Sequence, residues 1–267
     1  MQRADLVRLA AHVRSTASAG RTLEPVGPFL ATFTDDDANP YLNYAVPDDG
    51  AEPTPDEVAM LAAAFARHNR VPRAEYFPAL CPALGAALAR AGFVIEAVLT
   101  LMGASRDDLR PPNTPSGFTV RPPAAAYELD AAARVQRAAF GEAVPAGSEV
   151  AAVLKRVLAN GGSVAAAFEA ASGRVVGAGC CSAARDGFAD ITGIGVEEAR
   201  RGHGLASSLT WSLASSAFAA GAELVFLTPG SATALRSYAR VGFRRIGHQV
   251  HTSLRRPAAV PPDPGDH

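Results

Sequence analysis

The stretch ITGIGVEEARRGHGLA, Ile191–Ala206, decides how the second half of the chain folds. Its first six residues are apolar, small or β-branched and read as a buried strand. The polar run Glu197-Glu198-Ala199-Arg200 follows, and Arg201-Gly202-His203-Gly204 leads into Leu205-Ala206, the opening of a long apolar helix. Glycines at 202 and 204 let a backbone come close to a ligand and leave its N–H groups unobstructed. Those amides fall at a helix N-terminus, where the macrodipole favours anions. The loop therefore has the composition of a pyrophosphate cradle, with Arg200 and Arg201 adding positive charge. The plainer reading of two glycines is a strand-to-helix turn that needs them for its shape alone.

Working outward, residues 118–254 read as βααβββαβαβ. A strand over 118–121 precedes a helix over 128–140, whose inner stripe is Leu129, Ala132, Val135, Gln136 and Ala139. A second helix, 149–158, stops at Gly161-Gly162. Three apolar stretches, 163–169, 175–183 and 188–196, are separated by Ser172-Gly173 and Asp186-Gly187, the pattern of an antiparallel meander. The helix 205–219 then leads to a strand at 224–227, a helix at 232–240 and a last strand at 244–253. Upstream, strands are expected at 29–34, 42–46, 74–77 and 93–102, and helices at 57–68 and 81–91. Residues 110–117, RPPNTPSG, mark the expected division between two domains. The first half ends as the second does: Leu88-Ala89-Arg90-Ala91-Gly92-Phe93 echoes Tyr238-Ala239-Arg240-Val241-Gly242-Phe243. An internal duplication with a drifted first copy produces that echo. Ordinary helix capping by glycine before a buried aromatic produces it too.

The 267 residues are 48% hydrophobic, enough for a sizeable core and far from the composition of a disordered chain. A net charge of −1 supplies no bulk basic field for nucleic acid. No apolar run reaches the roughly 20 residues of a membrane span, and the N-terminal MQRADLVRLAAHVRS lacks the apolar core of a signal peptide. Cys81, Cys180 and Cys181 form no C-x-x-C pair, so neither a metal nor a redox site is expected, and the cytoplasm is the default compartment. His248 and His251 fall on opposite faces of a strand and make no metal pair.

The segment lacks the G-K-[ST] ending of a P-loop and does not match G-x-G-x-x-G. It resembles motif A of the Gcn5-related N-acetyltransferases (GNAT), [RQ]-x-x-G-x-[GA], as Arg201-x-x-Gly204-x-Ala206, with Val196 five residues ahead of the arginine. The proline that the family carries two residues after that valine is Glu198 here. Downstream, Ala234, Tyr238, Gly242 and Phe243 fit the family's A-x-x-x-Y-x-x-x-G-F, and its pantetheine-contacting asparagine falls at Ser231. The resemblance covers 118–254. It implies an α/β GNAT acyl-CoA N-acyltransferase fold, a mixed splayed sheet flanked by helices. The tandem arrangement would comprise a degenerate GNAT-like domain at 1–110, a linker at 111–117, the GNAT domain at 118–255 and a disordered tail at 256–267.

The resemblance also implies a chemistry. The backbone of Ile194, Gly195 and Val196 would pair with the pantetheine arm of acetyl-CoA. The amides of Gly202, His203, Gly204, Leu205 and Ala206 would hold its pyrophosphate, with Arg201 alongside and no metal. An amine of a small molecule or protein would attack the thioester directly. Asp190, six residues before Val196, stands where the histone-acetylating branch places a glutamate base; its shorter side chain calls for a bridging water. Strand alternation puts Asp190, Thr192, Ile194 and Val196 on one face. A solvent-facing strand residue beside a turn is the other reading of Asp190. Tyr238 is the candidate acid, because a phenol is protonated at neutral pH; packing on the sheet is its alternative. Two readings stay open here, an N-acetyltransferase and a non-catalytic acyl-CoA sensor or scaffold, in either case a monomer or homodimer.

Overall fold

The computed structural model describes residues 3–18, 20–34, 42–113, 115–144 and 148–254. The tail at 256–267 lies outside them. The helices are α1 (Arg3–Ser18), α2 (Pro55–Arg67), α3 (Leu84–Arg90), α4 (Ala126–Ala139), α5 (Ala152–Ala159), α6 (Leu205–Ala219) and α7 (Ala232–Arg240). The strands are β1 (Thr22–Val26), β2 (Phe29–Phe33), β3 (Tyr44–Pro47), β4 (Arg73–Tyr76), β5 (Phe93–Ser105), β6 (Phe118–Arg121), β7 (Ser163–Glu169), β8 (Val175–Cys181), β9 (Phe188–Val196), β10 (Leu224–Leu227) and β11 (Arg244–Leu254). Among the described residues no helix is long and apolar enough to cross a membrane.

Both halves use one element order. An antiparallel meander (β1-β2-β3 or β7-β8-β9) feeds a helix (α2 or α6), whose crossover returns a strand parallel to the meander's last member. Thus β4 lies parallel to β3 at Ala45↔Ala74, and β10 parallel to β9 from Leu224↔Phe188. A short helix, a left-handed glycine (Gly92 at φ +88°, Gly242 at +105°) and a phenylalanine then start the final strand of each half. The fold is thus a tandem repeat of one mixed α/β arrangement.

The final strands are exchanged. β10 pairs antiparallel with β5, which the first half supplies, at Leu224↔Ser105 to Leu227↔Met102. Reciprocally, β4 pairs antiparallel with β11, the chain's last strand, at Tyr76↔Val250 to Arg73↔Ser253. The chain accordingly divides into two compact units, one of Leu99–Gly247 and one of Gln2–Val98 with the chain from His248 on. Those divisions fall inside β5 and β11, whereas the sequence marks its division at 110–117, because each strand runs on to pair in the unit of the other half.

In the Leu99–Gly247 unit the sheet is covered on both faces. On one face α6 packs on Ala165, Ala167, Val176, Cys181, Ala189, Ile191 and Val196. On the other, α4 and α5 pack on Val164, Ala166, Phe168, Ala178 and Cys180. Cys180 and Cys181 therefore face opposite layers, as period-two alternation requires. Helix α6 is buried around most of its circumference, including Ser207, Ser208 and Thr210. Their hydroxyls are satisfied by backbone carbonyls of Ser237, Gly204 and Ala206.

Candidate functional site

The parallel ladder between β9 and β10 ends at Phe226↔Asp190, one residue before β10 itself ends at Leu227, while β9 continues to Val196. Past Asp190 the two strands are no longer paired, which leaves this edge of β9 open as a splay. Toward β8 the β9 backbone stays paired, at Ala178↔Gly195 and Gly177↔Val196. Toward β10 no described strand pairs with Thr192 to Val196. An extended polar chain can add there by strand-like hydrogen bonds.

The splayed segment also carries a β-bulge. Cys180 faces Thr192 and Ala178 faces Gly195, so three steps along β9 oppose two along β8. Gly193 takes up the extra residue at φ +65°, a conformation that other side chains rarely adopt. The consequence corrects the one-face expectation for Asp190, Thr192, Ile194 and Val196. Ala189 and Ile191 face α6, which puts Asp190 and Thr192 on the α4 face. After the bulge, Ile194 and Val196 face α6 as well. One inserted residue exchanges the faces, and the sequence pattern alone does not reveal it.

At the end of β9 the chain makes a single 3-10 turn, Glu198–Arg200, and reaches α6 through Arg201-Gly202-His203-Gly204. Ion pairs hold the near side of this loop: Arg200 to Glu169 at 2.6 Å and Arg174 to Glu197 at 2.5 Å. Arg201 Nε donates to the Val196 carbonyl at 3.2 Å, fixing the guanidinium where strand passes into loop. The exposed His203 ring lies with Nδ1 at 3.0 Å from the Arg201 carbonyl and 3.2 Å from that of Arg200.

Gly202 and Gly204 both sit at φ +82°, and a Cβ built on either meets nothing within 4 Å. Backbone conformation, rather than crowding, is what requires glycine there. Gly204 is the N-cap of α6 and gives no side-chain cap, and the first turn carries no acidic residue. The amides of Gly202 to Ala206 make no hydrogen bond with the described residues. A helix end with free donors and open space in front suits a multiply charged anion.

Tyr238, on α7, is 7% exposed and belongs to the α6-side core. Burial pushes its phenol up to about 12, so it holds its proton throughout the neutral range. Its hydroxyl makes no hydrogen bond with described residues and is not among the fully enclosed polar atoms. Asp190 is half-buried on the opposite layer. Its N–H donates to Ser182 Oγ at 2.9 Å, and its carbonyl accepts from the Ser182 N–H at 2.9 Å. Its charge helps to raise the neighbouring thiols of Cys180 and Cys181, whose shifts come first from burial. Ser231 caps α7, its Oγ accepting from the Ala234 N–H at 3.1 Å, which gives it a helix-capping role.

The fold thus gathers Ile194–Val196, Arg201 and Gly202–Ala206 along one edge. It places Asp190 on the α4 face at the end of the β9–β10 ladder and Tyr238 in the core on the α6 face. The bulge and its contact with Gln136 were not read as site features in the sequence. Their traces were the Gly193-Ile194-Gly195 spacing and a glutamine on the inner stripe of α4.

Residues 130–243 match the model of the acetyltransferase (GNAT) family. A solved GCN5-related N-acetyltransferase from Kribbella flavida superposes with a TM-score of 0.78 at 27% identity, over 94% of this chain and 96% of that one. One from Sphaerobacter thermophilus gives a TM-score of 0.61 at 18% identity, over 86% and 78%. A tandem GNAT protein from the clavulanic acid biosynthesis pathway gives 0.60 at 16%, over 86% and 79%. These last two show a shared fold alone. No curated protein sequence matches the chain. With the motifs, the β9 strand edge and these relatives in agreement, residues 130–243 form a domain of the GNAT acetyltransferase family.

Proposed function

We propose that this protein is an N-acetyltransferase that moves the acetyl group of acetyl-CoA directly onto a primary amine. One observation carries the reading: the N-terminus of α6 presents free amides and two left-handed glycines at the end of an unpaired strand edge. In this reading the amides of Gly202 to Ala206 bind the pyrophosphate, with Arg201 beside them. The backbone of Ile194 to Val196 pairs with the pantetheine amides. That places the thioester at the splay after Asp190, where the sheet is open between its two faces.

The two layers then divide the proton transfers. Asp190, on the α4 face, takes a proton from the incoming ammonium through a bridging water, freeing the nitrogen lone pair for attack on the thioester carbon. As the carbon–sulfur bond breaks, Tyr238 on the α6 face donates its proton to the leaving thiolate. A phenol held neutral by burial is suited to that role. As the tetrahedral intermediate collapses, the second N–H proton passes to solvent to leave the neutral amide, while solvent also reprotonates Tyr238 and deprotonates Asp190.

Thiol release with an amine library, followed by variants at the two positions, tests this reading. Asp190→Ala lowers turnover and leaves acetyl-CoA affinity intact if Asp190 is the base. An amine-independent chain that binds acetyl-CoA and releases no thiol would instead be a sensor or scaffold.

A further inference from the structure

Gln136 stands out as a polar side chain on the core-facing stripe of α4, and the structure shows where its hydrogen-bonding capacity goes. Its Nε2 donates to the carbonyl of Gly193 at 2.7 Å, the residue at the centre of the β9 bulge. Helix and bulge also meet through bare backbone. A Cβ on Gly193 would stand 2.6 Å from Gln136 Nε2, and one on Gly195 would stand 2.9 Å from Ala139 Cβ and 3.2 Å from Gln136 Cα. Both glycines are therefore required for α4 to lie this close, and the glutamine amide meets the carbonyl that the bulge turns out of the ladder.

What this contact holds is the phase of the strand. Successive residues of a strand direct their N–H and C=O groups to alternate edges, so one inserted residue exchanges the groups that face β8 with those that face the open edge. Without the bulge, Ile194 and Val196 would face α4, and the backbone groups along the splay would be the other set. We propose that Gln136 is a positioning residue that locks the bulge and so sets which backbone groups of Ile194 to Val196 are offered to the pantetheine arm. The catalytic consequence rests on the function proposed above; the structural part does not.

Two variants separate the donor from mere packing. Gln136→Glu is nearly isosteric, but its ionised carboxylate cannot donate to the Gly193 carbonyl; protonation gives it a donor again. Gln136→Leu fills the stripe with an apolar side chain and keeps the fold intact. Amide hydrogen exchange in the ligand-free protein is the first readout. Both variants should exchange about tenfold faster at Ile194 to Val196, the scale of one neutral hydrogen bond, with the Leu205 to Ala219 helix unchanged. Acetyl-CoA affinity should fall by a similar factor, and for Gln136→Glu the loss at pH 8 should shrink toward pH 5.5. Wild-type exchange rates at Ile194 to Val196 in both variants would overturn the inference. So would a Gln136→Glu variant whose exchange is as fast at pH 5.5 as its chemistry predicts at pH 8. If the wild-type protein itself fails to bind acetyl-CoA, the proposed function falls, and the exchange data still decide the role of Gln136.

Discussion

Helices α2 and α6 occupy the same place in the two halves, each following a meander and returning a parallel strand, yet their N-termini are built in opposite ways. The end of α2 is closed by its own residues. Thr54 accepts from the Glu57 N–H at 3.3 Å, and Glu57 accepts from the Thr54 N–H at 2.7 Å, completing a capping box behind Pro55. Asp56 and Glu57 also put negative charge on the end that an anion would approach. The end of α6 has a left-handed glycine for a cap, no acidic residue in its first turn and no partner for its leading amides. A missing cap costs about 1 kcal/mol of helix stability. Burial around most of α6 offsets that easily, because each large apolar side chain enclosed contributes roughly 2 kcal/mol. A helix end can be left open for a ligand when packing, rather than capping, holds the helix in place.

The comparison breaks first at Gly204. Gly204→Glu should abolish acetyl-CoA binding, since it fills the open space with bulk and with the charge that α2 carries; calorimetry reads this directly. Next come the two layers at the splay. Asp190→Asn should lower kcat by about 10²- to 10⁴-fold with unchanged acetyl-CoA affinity, the span of general-base contributions. Tyr238→Phe should give a smaller loss of kcat, also without loss of affinity.

A further contrast is electrostatic. The unit that contains α2 holds a buried cluster in which Arg73 reaches Glu75 (3.4 Å), Glu96 (2.5 Å) and His251 Nδ1 (3.0 Å), with His251 Nε2 at 3.5 Å from Glu75. Burial raises the Glu75 carboxyl to about 7 against the opposing pull of Arg73, and burial with the Arg73 charge lowers His251 to about 4. Stability linked to Glu75 is fully present below its unfolded value near 4.5 and is lost as pH rises through 7. Stability linked to His251 is present above 6.5 and is lost as pH falls through 4. The two slopes oppose each other between pH 4.5 and 6.5, so wild-type unfolding free energy should be nearly flat there. In Glu75→Gln it should rise with pH, and in His251→Gln it should fall, each by at most about 3 kcal/mol in denaturant titrations. Smallest of all, Thr54→Ala should cost about 1 kcal/mol of stability and leave acetyl-CoA affinity untouched.

Much of the second half is legible in the residues themselves. The expected bounds of β7, β9, α6, β10 and α7 coincide with those found, because each is either a continuous apolar run or, for α7, a 3.6-residue stripe, closed by glycine or a turn. Helix α1 and strand β1 were not read at all. The first scatters arginines among its apolar positions, and the second, TLEPV, is a largely exposed edge strand interrupted by proline. The cradle was visible because positive φ demands glycine at 202 and 204. The bulge was hidden, since it exists only relative to the register of β8. The exchange of β5 and β11 was hidden for the same reason: pairing partners more than 100 residues apart leave no local pattern.

Titration of the purified protein with acetyl-CoA, with ATP and desulfo-CoA as controls, tests the central claim most directly. The account predicts micromolar binding that ATP does not reproduce and that Gly204→Glu eliminates. Binding that survives Gly204→Glu, or no binding by the wild-type protein, would contradict the assignment of the open α6 terminus as the acyl-CoA site.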